Sequence, residues 1–299
     1  MRLLHWEEAN RSDQPPLHIG EHGARYPTLT GVWWLDEYRL LVNHRSGLRL
    51  ALFDLREGPR PLVTVRIPHL TDDVSAKPLH GGRWEVAVSG CWDSACSLYE
   101  FVADKRSWLP WRNPRSAFWL LSTHRSPDKS FCHGVAYDHK GRLWLAYNCG
   151  RRPRVEIFHG ATWQLPEPWG ARDVCFDDED TAYAVATSST PKRHAYAPPD
   201  LSIWRLGSKH EGWEHVVTVP SAHTDACDIF RGRIWVNDQN GDRILSIDLK
   251  GQRSPVILKD DTFSFPHGVA ISPTGMLAVT NYGTSTVSLI DLKDCDPAD

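Results

Sequence analysis

The sequence predicts an all-β fold, a six-bladed β-propeller with four-stranded blades, from three observations. A phrase occurs twice almost word for word, as Ser130-Phe131-Cys132-His133-Gly134-Val135-Ala136 and Ser264-Phe265-Pro266-His267-Gly268-Val269-Ala270. Each copy leads through a Gly turn into an apolar strand that ends in Asn148 or Asn281. Weaker copies begin at Thr30, Asp72, Arg172 and Cys227, so six anchors recur roughly 40 to 60 residues apart. That is the period of a propeller blade, lengthened twice by insertions. No segment sustains a 3.6-residue apolar period, so helices are expected to be few and short.

Taken in order, residues 2–6 alternate weakly and precede a polar, Pro-containing link. The last recurrence has three strands and then a polar tail, so the N-terminal segment is expected to supply its fourth strand and close the ring. Blade one has strands at 30–34, 39–43, 48–55 and 63–67. Blade two starts at Asp72 and continues at 83–88, 96–102 and 117–122. Its insertion carries Trp108-Leu109-Pro110-Trp111, which either covers an edge or walls a binding site. Blade three carries the clearest copy and closes at 155–158 and 161–165. Blade four has strands at 172–176, 181–186, 202–206 and 214–219, interrupted by a Pro- and Ser-rich loop at 187–199. Blade five runs through 227–230, 233–237, 243–249 and 254–258, and blade six starts at His267. Gly141, Gly232 and Gly275 fall at the first turn of their blades, where positive φ is wanted. Trp84, Trp144 and Trp235 on second strands are expected to fill the space between blades.

Six recurrences across 299 residues leave room for one domain, residues 1–299. The 34 basic and 37 acidic residues nearly balance and form no basic block, so nucleic acid is not an expected partner. The N-terminus lacks a secretory pattern, and no apolar run is long enough to span a bilayer, so no membrane association is expected. The expected setting is soluble and cytoplasmic. Seven scattered cysteines suit a reducing compartment, although Cys91 and Cys96 flank a turn and are within reach of one another.

The inner strand of every propeller blade lines the central channel, so the six anchors should gather at its mouth. Blades three and six face each other, setting His133 opposite His267, and blades two and five set Asp72 opposite Cys227. The candidate metal ligands are His133, His267 and Asp72, a set that suits Zn²⁺, Fe²⁺ or Cu²⁺ better than Ca²⁺. The candidate catalytic residues are His133, His267, Arg172 and Cys227: imidazole as base, guanidinium as anion clamp, thiol as nucleophile. His69, Asp73, His223 and Asp225 could join the rim, as could His44 and Arg45, while Asn43, Asn148, Asn237 and Asn281 are read as turn caps. The alternative is a polar channel whose side chains bond neighbouring carbonyls. Diverse anchors favour a site built around one small-molecule ligand in the channel, acted on by a hydrolase or lyase. The other reading is a non-enzymatic scaffold that binds a protein partner through its top-face loops.

The phrases His133-Gly134-Val135-Ala136 and His267-Gly268-Val269-Ala270, with their Gly turns and Asn-ended strands, resemble the six-bladed gluconolactonase and senescence-marker propellers and the NHL-repeat proteins. The resemblance covers nearly the whole chain and implies a divalent metal held at the channel mouth by acidic and Asn residues, with ester hydrolysis as the activity. This sequence keeps Asp72 from that ligand set; His133, Arg172, Cys227 and His267 replace carboxylates and amides, and Thr30 stands where Glu is expected. A histidine-lined mouth is also similar to that of the streptogramin lyases, seven-bladed enzymes that open a lactone by elimination with a metal and a His base.

Overall fold

The computed structural model describes residues 2–5, 29–45, 47–102, 118–148, 152–188, 200–207 and 212–294. These form six four-stranded antiparallel sheets. Blade one is β2 (Leu29–Trp34), β3 (Arg39–His44), β4 (Arg49–Asp54) and β5 (Pro61–Arg66). Blade two is β6 (Val74–Pro78), β7 (Arg83–Gly90), β8 (Ala95–Val102) and β9 (Phe118–Arg125). Blade three is β10 (Cys132–Tyr137), β11 (Leu143–Tyr147), β12 (Arg154–Ile157) and β13 (Thr162–Trp163). Blade four is β14 (Trp169–Phe176), β15 (Ala182–Ser188), β16 (Leu201–Leu206) and β17 (Trp213–Val219). Blade five is β18 (Cys227–Phe230), β19 (Arg233–Asp238), β20 (Arg243–Asp248) and β21 (Val256–Lys259). Blade six is β22 (Pro266–Ile271), β23 (Met276–Asn281) and β24 (Thr286–Asp291), completed by β1 (Arg2–His5), whose Leu4 pairs with Val287. The expected closure by the N-terminal strand is therefore present.

The outer strand of blade five starts at Val256 rather than at residue 254, because Pro255 has no N–H to give the ladder. Gly141, Gly232 and Gly275 have φ of 74°, 70° and 89°, as their turns require. The helical segments among the described residues are the 3-10 turns Gln239–Gly241 and Leu292–Asp294, and none is long and apolar enough to cross a membrane. Cys91 and Cys96 are not joined in a disulfide. The Trp108 to Trp111 stretch and residues 189–199 lie outside the described residues.

Each sheet buries both faces, so successive side chains serve different seams. Leu41, Leu50 and Leu52 of blade one pack with Val74, Val86 and Phe101 of blade two. The intervening Leu40, Val42 and Ala51 pack with Ala278, Val287 and Leu4 of blade six. The other four seams follow the same plan, and Trp144 illustrates how one is filled. It lies between blades three and four, stacked on Trp163 at 5.3 Å and edge-on to Phe176 at 5.3 Å.

The inner strands β2, β6, β10, β14, β18 and β22 contact one another in a ring, and the residue after each anchor decides how closely they approach. In blades one, three and six it is Gly31, Gly134 and Gly268; in blades two, four and five it is Asp73, Asp173 and Asp228. A Cβ on Gly31 would stand 2.6 Å from the Asp73 Cα, one on Gly134 would stand 2.6 Å from the Arg172 carbonyl oxygen, and one on Gly268 would strike the Thr30 carbonyl. The aspartates then tie strand to strand. Asp73 accepts the Val135 N–H at 2.9 Å, Asp173 the Cys227 N–H at 2.9 Å and Asp228 the Ile271 N–H at 2.6 Å. The twice-repeated His-Gly phrase thus has a packing cause: Gly lets the next inner strand come against the backbone.

Substituting Gly134 by Ala should destabilise the fold by about 1–3 kcal/mol, because the added methyl meets the Arg172 carbonyl and the Asp173 Cα as well as the Asp173 carboxylate. Chemical denaturation of Gly134→Ala against the parent checks this, and an unchanged midpoint would refute the close approach.

Candidate functional site

A register break sits at the anchor in four blades: between Leu29 and Val32, Cys132 and Gly134, Ala171 and Asp173, and Pro266 and Val269. The unpaired residues include Thr30, His133, Arg172 and His267. A bulge bends the strand and re-aims its side chain, and here it turns anchors out of the seams. Hydroxyls from the preceding blade hold the bulged backbone. Ser89 donates to the His133 carbonyl, and Thr280 donates to the Thr30 carbonyl while accepting the Gly268 N–H.

Three of the six anchors converge into one cluster. Asp72, His133 and His267 are all buried, and one donor atom from each lies within 4.8 Å of the others. Asp72 is fixed just before β6, its N–H bonded to the Ser89 carbonyl and its Oδ2 accepting the Cys91 N–H. His133 Nδ1 donates to the Arg172 carbonyl at 3.1 Å, which fixes the ring and presents Nε2 to the axis. The His133 and His267 rings lie nearly parallel, with centroids 6.0 Å apart and planes 9° apart, and Tyr282 stacks behind His267 at 5.6 Å.

Asp225 is the hub that the cluster meets. Its Oδ1 lies 3.1 Å from His133 Nε2, 3.1 Å from Arg172 Nη1 and 3.6 Å from His223 Nε2. Its Oδ2 accepts from Gln239 Nε2 and lies 3.6 Å from His267 Nε2. Asn237 sets this position: its Oδ1 accepts the N–H groups of Asp225 at 3.0 Å and Ala226 at 2.9 Å, and the Thr224 hydroxyl. Asn237 and Asn281 therefore cap the loops before their own inner strands, as the sequence reading expects, whereas the Asn43 side chain and Asn148 Oδ1 make no such bond. Arg45, from the corner after β3, pairs with Asp72 Oδ1 at 3.1 Å.

Electrostatics divide these groups. Burial alone would raise the Asp225 carboxyl, but His223, His267, Arg172 and the His133 hydrogen bond together outweigh it and hold the group well below the usual carboxylate range. Burial pushes His223 and His267 down to about 4, against the pull of Asp225, so both are neutral at pH 7. Arg172 is held by Thr187 Oγ1 at 2.9 Å as well as by Asp225.

Two anchors do not join. Thr30 bonds the Thr71 carbonyl at 3.2 Å within the ring of inner strands. Cys227 packs in the core between blades four and five beside the Cys175 thiol, and burial pushes its thiol well above the ordinary value. It is not held ready as a thiolate. Of the rim residues named from sequence, His69 turns to Ser97 Oγ and the Leu70 carbonyl, and Asp73 bridges to Val135. His44 accepts the Gly47 N–H within its own turn. Gln239 and Tyr282 carry no sequence signal that marks them; the Asn cap before Cys227 is the signal that could have favoured Asp225.

A cavity of about 970 Å³ borders the later parts of the inner strands and the turns that follow. Its lining includes Asp73, Asp173, Cys227 and Asp228 but none of the Asp72, His133, His267 and Asp225 groups. The cluster, with its converging donors, is the better candidate site, because the cavity's channel carboxylates are already spent on strand-to-strand bonds. Burial raises Asp228 to about 6 and Asp73 to about 7.

The molecule is thus a six-bladed propeller with a buried His/His/Asp cluster capable of metal ligation at one end of its channel. No protein-family model and no curated protein matches the sequence. Solved structures of the same fold are similar at low identity. They include the PQQ-bound aldose sugar dehydrogenase of Streptomyces coelicolor, at 11% identity over 88% of this chain and 90% of that one, with a TM-score of 0.61. A streptogramin B lyase is 12% identical over 97% and 98% of the two chains, TM-score 0.58, and a luciferin-regenerating enzyme is 14% identical over 87% and 86%, TM-score 0.59.

Asp228 tests the electrostatic account. Its raised value means stability present in full below about pH 4 and lost as pH rises through about 6. Asp228→Asn removes that titration, so the variant's stability relative to the parent should improve by about 1–2 kcal/mol between pH 4 and pH 7. Urea denaturation at both pH values checks the sign, and a constant difference would refute it.

Proposed function

We propose that the protein is a small-molecule enzyme working at the channel mouth, where a divalent metal held by His133, His267 and Asp72 assists hydrolysis or lyase-type opening of an ester or lactone. One observation carries this reading. Three donor atoms converge in a buried place, and Asp72 Oδ1 and His267 Nδ1 have no hydrogen-bond partner there. Asp72 Oδ1 does have an ionic contact with Arg45, so its negative charge is balanced while its lone pairs lack a well-aligned donor. Unmade bonds at buried polar atoms are costly, and a bound cation would satisfy them. The His133 Nδ1–H bond to a backbone carbonyl is the outer partner that a metal-ligating imidazole needs, and Nε2 would take the ion on giving up its hydrogen bond to Asp225.

Two imidazoles and one carboxylate favour zinc, iron or copper over calcium. A divalent ion held there would polarise a carbonyl and acidify a water. The chain's own residues supply the rest. Asp225 keeps His133 and His267 in place from below, and Arg172 stands ready to steady negative charge as it develops. His223, neutral and without a hydrogen bond at Nε2, is placed to receive a proton. The ester or lactone class follows the resemblance to the gluconolactonase family and, more distantly, the lactone-opening lyases. A second reading, a scaffold for a protein partner, draws on the exposed Trp119, Leu120 and Leu121 of β9.

Elemental analysis of the purified protein should find about one equivalent of a transition metal, lost in His133→Ala and in His267→Ala. Unchanged metal content in both variants sinks the metal centre.

A further inference from the structure

We propose that the ligand of this mouth is an organic anion, a carboxylate on a flat apolar body, gripped between Arg45 and Arg172. The proposal rests on reading the mouth as a ligand site, though not on metal occupancy. The two arginines come from blades one and four, which face each other across the ring. Each is paired at 3.1 Å with a carboxylate that solvent does not reach: Arg45 with Asp72, Arg172 with Asp225. The Asp72 and Asp225 side chains are 1% and 4% exposed, whereas those of Arg45 and Arg172 are 14% and 23% exposed. A ligand entering from solvent therefore meets guanidinium before carboxylate.

The guanidiniums also have donors to spare. Each has five N–H groups. Arg45 meets Asp72 through Nη1, and Arg172 uses Nε on Thr187 and Nη1 on Asp225. Neither Nη2 has a hydrogen bond among the described residues. Planar, two-oxygen anions match guanidinium geometry best.

Aromatic faces set the body of the ligand. Trp92 is 49% exposed, lies 6.0 Å from the Arg45 guanidinium and packs at 5.6 Å against Phe131. Half-buried Tyr282 stacks on His267 and packs at 5.9 Å against Phe265. Such a rim favours a flat, apolar group attached to the carboxylate.

Calorimetric titration of the full chain with benzoate and with benzamide, its neutral isostere, tests this before and after chelator treatment. Benzoate should bind at least about tenfold more tightly than benzamide in both preparations. Arg45→Gln and Arg172→Gln should each weaken benzoate by about tenfold, with Arg172→Lys retaining part of the affinity and metal content unchanged in all three. Equal binding of benzamide, no binding of benzoate, or glutamine variants that bind benzoate as the parent does would each overturn the proposal. Benzoate binding that disappears with the metal would also overturn it, since the metal alone would then hold the anion. If a glutamine variant does not fold, the benzoate and benzamide comparison in the parent still decides. Loss of the metal reading through histidine substitution leaves that comparison intact, so the two failures are distinguishable.

Discussion

The close approach of six inner strands around one axis is the constraint on which everything else depends. At this range a Cβ has no place in three of the six blades, and there Gly occurs; in the other three an Asp reaches across to the neighbouring backbone. This division does more than allow packing. Register breaks accompany it, and the breaks turn His133, Arg172 and His267 out of the seams. Packing at the axis and presentation of the polar anchors are thus one structural fact.

The same channel holds carboxylates in two opposite electrical conditions. Asp225 is surrounded by imidazole and guanidinium groups and is held strongly acidic despite burial. Asp73, Asp173 and Asp228 receive backbone N–H groups with less opposing charge, so burial wins and their carboxyls become weak acids. The difference follows from neighbours rather than from depth. It separates a polar end suited to a ligand from a wall suited to holding strands together.

Much of the architecture was legible because its signals are local and repeated. Two near-identical phrases, a Gly at the first turn and second strands that end in Asn marked the blades, and a three-stranded last repeat announced the role of residues near Leu4. The site was legible in part. His133, His267 and Asp72 do come together, since period alone brings anchors to one level. Thr30 and Cys227 share that period and yet do not join, because the Thr30 hydroxyl bonds the Thr71 carbonyl and Cys227 packs beside the Cys175 thiol, and neither contact leaves a mark in spacing. Asp225 and His223 were visible only as nearby polar residues. Their place depends on a loop folded over the Asn237 side chain, a contact between residues that no repeat count weighs.

The pairing of β1 with β24 has a consequence for how the molecule is born. Within the propeller β1 is synthesised ahead of its partner β24, so it stays unpaired until the strands between them have been made. The joint that seals the ring is the one spanning the greatest length of chain.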